Sequence, residues 1–262
     1  NQGKPLDLVF FDACRMMAVE MASQLKGSVK VAVGSLDRID SGGYDPGVWV
    51  RGASTSADGL ALGRLLAENT DPRQMEGLGT TAAVNLELIE PLEQALRHLA
   101  DQLAGLEPGQ ATRVRELATF SRRSQPSPSY QYALDNMANS ILQGSSESLN
   151  SWLEEVRPSD PVAISSFCHN LVADPELGQS LRTAAQAVIE AHGQAVFAQR
   201  EECDGLSVVL PLERTSEVTG NSIFERATRW QRAVDHLIPL HSPAPLGKSW
   251  LERELEARSG SL

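Results

Sequence analysis

The chain of 262 residues carries a formal net charge of -11, and 41% of it is hydrophobic but only 5% aromatic. That composition supplies a full globular core, in one large domain or two small ones. It argues against a nucleic-acid surface, since no Lys/Arg stripe is interleaved with aromatics. No apolar run approaches the roughly 18 residues that span a bilayer, and no basic-then-apolar leader opens the chain. The acidic balance would attract basic peptides, although net charge speaks to solubility first.

In chain order, the first element is Leu6-Asp7-Leu8-Val9-Phe10-Phe11, an apolar run without alternation that ends on Asp12-Ala13-Cys14. Such a run suits a strand covered on both faces of a parallel sheet. Met16, Val19 and Ala22 follow at helical spacing, so Cys14 is expected at a strand-to-helix junction. There the next helix's free amides would stabilise a thiolate, with Asp12 available to cap that helix. Arg15 is expected to face solvent. A strand at Val31 to Ser35 leads into the loop Gly34 to Tyr44, which carries Asp37 and Asp40. Tyr44 and Trp49 read either as pocket walls or as simple packing.

Further on, periodicity and Gly/Pro borders predict helices at Asp58 to Asn69, Glu90 to Leu103 and Gln110 to Ser121, with a strand from Thr80 to Leu86. A largely helical stretch covers Tyr132 to Leu142, Leu149 to Val156, Pro161 to Ala173 and Gly178 to Ala191. Strands return at Gln194 to Gln199 and Gly205 to Leu210, and a helix is expected over Asn221 to Leu240. His241 to Pro245 reads as a linker, and Trp250, Leu251 and Leu255 share one face of a short helix.

The three cysteines, Cys14, Cys168 and Cys203, lack zinc spacing and are too few for a disulfide framework. Cys168 reads as a core residue, and Cys203 as part of a solvated acidic hairpin. Of the five histidines, His192 is expected to end its helix with Gly193 as the C-cap. All five follow Cys14 in the chain, and a thiol needs a base or ion-pair partner to attack a peptide.

The run Asp12-Ala13-Cys14, with Met16, Val19, Glu20, Ala22 and Leu25, resembles the nucleophile block of the clostripain-like cysteine peptidases, bacterial members of the caspase-fold clan. Thr80 to Leu86 with Leu92, Leu96, Leu99 and Leu103 is similar to that family's next strand and helix. Gly205 to Pro211, Phe224 and Trp230 resemble its closing strand and C-terminal helix. The resemblance implies an α/β fold, a caspase-like three-layer α/β/α sandwich holding the C-terminal part of a mostly parallel sheet. It divides the chain into a nucleophile-bearing part (1–105), a helical insertion (106–193), closing strands and helix (194–241) and a C-terminal linker with a short helix (242–262).

The same resemblance implies that Cys14 is the catalytic nucleophile and that Asp12 lies in the S1 pocket, which receives the side chain before the scissile bond. Asp40, or else Asp37, supplies a second S1 carboxylate. One carboxylate facing a guanidinium favours Arg over neutral side chains and over Lys. In that clan the histidine precedes the cysteine, so an N-terminal subunit of the same precursor is expected to carry it. The polar opening Asn1 to Pro5 falls where these peptidases are cut during activation, after a basic residue. The expected partners are thus that subunit and protein or peptide substrates with Arg or Lys, with no nucleic acid or membrane. No cofactor is required and no metal-ligand set is present; calcium, used by some relatives, stays open. A cytoplasmic setting is slightly favoured over a secreted one. The alternative is a non-catalytic regulatory or binding module on a degenerate caspase-like scaffold.

Overall fold

The computed structural model describes residues 3–36, 39, 43–69, 80–121, 161–200, 203–211 and 222–238. Strand β1 (Leu6–Phe10) pairs in parallel with β2 (Val29–Ser35), Leu8 opposite Val31 and Phe10 opposite Val33. Helix α1 (Val19–Leu25) makes the crossover between them. Helices α2 (Pro46–Thr55) and α3 (Gly59–Asn69) follow, and then β3 (Thr81–Asn85) lies against the other side of β2. Strand β3 runs antiparallel to β2, and β5 (Val196–Gln199) runs antiparallel to β3, which gives the order β1-β2-β3-β5.

Among the described residues this sheet is therefore mixed, not mostly parallel as expected. The reason is topological. Helix α1 carries the chain back to the start of the sheet, where Leu6 N–H bonds to the Ser28 carbonyl. The excursion through α2 and α3 instead returns to the end it left, because Ser35 and Thr81 are paired. A strand entering where its neighbour leaves must run the other way.

Both faces of the sheet are covered. Val31, Val33 and Ala83 pack with Leu66 and Ala67 of α3, while Val29, Ala32, Ala82 and Val84 join the larger core on the opposite face. That core is built on α4 (Ile89–Leu103), whose Ile89, Leu92, Leu96, Leu99 and Leu103 recur on one side and are fully buried. Each such side chain contributes about 1.5–3 kcal/mol. A 3-10 turn (Leu86–Leu88), capped by Asn85 through Glu87 N–H, leads into α4. Helix α5 (Pro108–Phe120) follows, and then β4 (Val162–Ala163), α6 (Ile164–Ala173) and α7 (Gln179–Ala195). Alanines 184, 185, 191 and 195 line the buried side of α7, and small side chains of this kind let its backbone pack close to α4 and α6.

Helix α7 runs to Ala195, so His192 and Gly193 lie within its last turn and Gly193 is not the C-cap expected from sequence. The expected helix over 221–240 is two helices, α8 (Ile223–Thr228) and α9 (Trp230–Leu237), broken where Arg229 adopts φ 57°. The expected helices at 132–142 and 149–156, the 241–245 linker and Trp250, Leu251 and Leu255 lie outside the described residues.

Strand β6 (Ser207–Val208) pairs antiparallel with β4 and also bridges Ala18, while Ser207 N–H donates to the Met17 carbonyl. The segment just after Cys14 is thereby tied to the closing part of the chain. Glu20 adds a second tie: its Oε1 accepts the Val209 N–H at 2.8 Å, and the Val209 carbonyl accepts Trp230 Nε1–H at 2.8 Å. Its other oxygen is buried with no hydrogen-bond partner, and burial pushes the carboxyl pKa up to about 7. The folded chain then holds this proton between the ordinary value of 4.5 and about 7, where the unfolded chain has released it. Stability is fully present below 4.5 and falls as the pH rises through 7, by up to about 3 kcal/mol in all. Glu20→Gln keeps an acceptor for Val209 but cannot ionise; in urea unfolding it is expected to match the wild type near pH 4.5 and exceed its stability by up to about 3 kcal/mol at pH 8.

Candidate active site

Two backbone hydrogen bonds define the loop between β1 and α1. Phe11 N–H donates to the Val33 carbonyl at 2.8 Å, and Met17 N–H donates to the Ser35 carbonyl at 3.1 Å. Residues 12–16 arch between these ties at the carboxyl end of β2, with Asp12 and Cys14 exposed. This is the edge at which open α/β sheets present their ligand sites. Arg15 takes φ 59°, a left-handed conformation that costs about 1 kcal/mol or more in a non-glycine residue and that turns the chain sharply after the thiol. Arg15 is half-buried rather than solvent-facing as expected, and its Nε is sealed from solvent.

The helix does not begin directly after Cys14. It starts at Val19, with Ala18 as an N-cap that offers no side-chain bond, so its free amides do not meet the thiol. The loop after β2 takes that role: Ile39 N–H donates to Cys14 Sγ at 3.3 Å, and the thiol donates to the Ile39 carbonyl at 3.6 Å. Asp12 does not cap the helix either. Its Oδ1 accepts the Tyr44 N–H at 3.1 Å, which fastens the arch to the same loop.

Gly43 permits that contact. It adopts φ +63°, and a Cβ there would lie 2.6 Å from both Asp12 carboxylate oxygens. Tyr44 is buried, its ring 4.8 Å from that of Phe10, and its hydroxyl bonds to Thr81 Oγ1 at 3.1 Å. Burial raises its pKa, while hydrogen bonds to Thr81 and Ser35 pull the other way. Ser35 and Thr80 bond through their hydroxyls at 2.7 Å, and Cys203 donates to the Thr80 carbonyl at 3.0 Å. A polar seam thus runs beneath the arch at the ends of β2 and β3. Trp49 projects from α2 and is exposed.

Asp37 and Asp40 lie outside the described residues. Ile39, Gly43, Ser35 and the Thr80-Thr81 pair were not legible as site residues. Gly42-Gly43-Tyr44 was the available signal, since a glycine there marks close backbone approach. Cys203 is buried in the seam rather than in a solvated hairpin, and Cys168 is fully buried in α6, where desolvation drives its pKa up.

Among the described residues no histidine hydrogen-bonds Cys14. The buried His192 accepts the Leu206 N–H through Nε2 at 3.2 Å, beneath Gly205 at φ +77°, and burial lowers its pKa to about 4. It braces the turn before β6. His98 and His169 are exposed, and His236 bonds to the Leu106 carbonyl. Nor is any group of three His, Cys, Asp or Glu side chains among the described residues placed to hold a metal ion. No helix among them is long and apolar enough to cross a membrane.

The model of the C11 peptidases, described as the clostripain family, matches residues 1–232. The chain belongs to the clostripain family. It is accordingly a cysteine peptidase by family, and its solved relatives share its fold. A clostripain from Bacteroides thetaiotaomicron ATCC 29148, in complex with the peptide inhibitor BTN-VLTK-AOMK, is 12% identical, with 87% of this chain and 89% of that one covered and a TM-score of 0.53. A secreted C11 cysteine protease of Bacteroides thetaiotaomicron, iotapain, is also 12% identical, with a TM-score of 0.52 over 88% of this chain. The match spans only 56% of iotapain's length. No curated protein matches the chain.

Exposure separates the three thiols chemically. In the native protein iodoacetamide is expected to label Cys14 alone, and Cys168 and Cys203 should react only after unfolding in urea, as peptide mass mapping would show. Labelling of either buried cysteine at the Cys14 rate would contradict this packing.

Proposed function

We propose that this chain is the nucleophile-bearing part of a cysteine endopeptidase that cleaves after basic residues, Arg before Lys, and works with an N-terminal subunit of the same precursor. The observation that carries the proposal is the arch itself, which exposes a thiol and a carboxylate two residues apart and fastens them to Ile39 and Tyr44. A basic side chain paired with Asp12 would bring the adjoining carbonyl towards Cys14. The peptide of the inhibitor held by the Bacteroides clostripain ends in lysine, in keeping with a basic side chain at that position. Asp40 or Asp37 would supply the second carboxylate.

Cys14 attacks the carbonyl carbon, forming a C–S bond and a tetrahedral oxyanion. Its own backbone N–H supplies half of the oxyanion hole, with the second donor coming from the N-terminal subunit. The base, a histidine of that subunit, takes the thiol proton and hands it to the leaving amine as the C–N bond breaks. Water then hydrolyses the thioester. Losing one oxyanion donor alone typically costs about 2.7–4 kcal/mol, so the chain without its partner is nearly inert. None of these steps calls for a metal.

Strand β1 is in keeping with such a subunit. Among the described residues it is an edge strand, and Leu6, part of its continuous apolar run, is 48% exposed. Further strands added beside it would cover that edge and deliver the histidine next to Cys14. We propose that proteolysis of the precursor after a basic residue, by the enzyme itself or a second protease, produces the two subunits.

The complete processed protein is expected to turn over fluorogenic peptides ending in Arg faster than Lys, and Asp or Leu hardly at all. Cys14→Ala should abolish turnover. Asp12→Ala should lower kcat/KM for Arg by about 10- to 100-fold, the worth of a charge-assisted hydrogen bond. A preference for Asp or Leu would remove the S1 assignment. No turnover by the complete protein, with or without calcium, would favour the non-catalytic module.

A further inference from the structure

We infer that Gly43 and Tyr44 are the positioning residues of the cation site, setting the direction of the Asp12 carboxylate through the polar seam at the ends of β2 and β3. The inference rests on the proposed basic-residue specificity and adds what makes the carboxylate selective. An exposed aspartate on an arch would sample several rotamers, and a mobile carboxylate discriminates poorly between a planar guanidinium and an ammonium. Here Oδ1 is held by the Tyr44 N–H, and the Gly43 backbone packs against both oxygens. Oδ2 has no partner among the described residues and is left to meet a cation.

The clamp is itself anchored. Tyr44 N–H is held in place by its side chain, which is 3% exposed, tilted at 57° against the Phe10 ring and bonded to Thr81 Oγ1. Thr81 opens β3 and pairs with Ser35, the last residue of β2, whose carbonyl holds Met17 at the far foot of the arch. Asp12 is thus referenced to the sheet at both ends of the loop. Tyr44→Phe removes only the hydroxyl anchor. Gly43→Ala places a methyl against both carboxylate oxygens and strains the backbone at φ +63°.

Agmatine, a free guanidinium cation, tests this in the complete processed protein by titration calorimetry, read beside the KM and kcat for Arg peptides. Tyr44→Phe is expected to weaken agmatine binding and raise the Arg KM by about 3- to 10-fold with kcat within twofold, and Gly43→Ala to remove most of the binding. Iodoacetamide labelling of Cys14 should stay at the wild-type rate in both. If agmatine binding depends on Asp12 but is unchanged in Tyr44→Phe and Gly43→Ala, the positioning role is overturned and the Arg pocket stands. A uniform loss of kcat on all peptides with slowed labelling of Cys14 would also overturn it, as mere structural damage. If wild-type protein binds no agmatine, or Asp12→Ala binds it equally well, the specificity reading itself fails and takes this one with it.

Discussion

The site depends on how the chain between β1 and α1 is pinned at its two feet, Phe11 to Val33 and Met17 to Ser35. Both acceptors are carbonyls of β2, spaced by one strand repeat. The strand therefore fixes the width of the arch, and the residues between the feet have nowhere to go but outward. The left-handed Arg15 absorbs the resulting turn, and its cost is held by the packing on either side. An exposed thiol so close to a dry core follows from this geometry: the apolar neighbours Phe11 and Met17 turn inward, while Asp12 and Cys14 remain on the solvent side.

The arch is braced from outside the sheet as well. Ser207 binds the Met17 carbonyl and bridges Ala18, Glu20 holds Val209, and Trp230 closes the same segment from α9. His192, neutral and buried, fixes the turn that presents β6. Residues far apart in sequence thus converge on the two turns after the nucleophile. From the segment after β2, Ile39 bonds to Cys14 and Tyr44 bonds to Asp12. Among the described residues these are the hydrogen bonds made to Cys14 and Asp12, while the other supports tie the chain on either side of them.

The resting contact between Cys14 and Ile39 has a chemical meaning. The thiol both receives the N–H and donates to the carbonyl of one residue. The thiol is thus held by main-chain groups, and no side chain among the described residues hydrogen-bonds it.

The fold's main elements were legible in the sequence where periodicity was long and unambiguous: the α4 row from Leu92 to Leu103, helix α3 and the apolar β1 and β2. Asp12 and Cys14 were expected just past the end of β1, and the structure exposes both there. What escaped was set by contacts between distant segments. Whether an excursion crosses a sheet or returns to the same end is not encoded in the period of its helices, so the antiparallel β3 and β5 could not be read. The helix start at Val19 was missed because Met17 and Ala18 are tied by their backbone to Ser35 and Ser207, which the apolar spacing from Met16 does not reveal. The His-Gly pair looked like a helix stop, since only the tertiary packing of His192 under Gly205 shows the helix running on. By itself the sequence determined which positions carry a thiol or a carboxylate and which faces are apolar, because those are properties of side chains and of local repeat. The partners of the reactive groups, Ile39 for the thiol and Tyr44 for the carboxylate, were decided only by the tertiary structure, because backbone amides carry no sequence signature until folding brings them together.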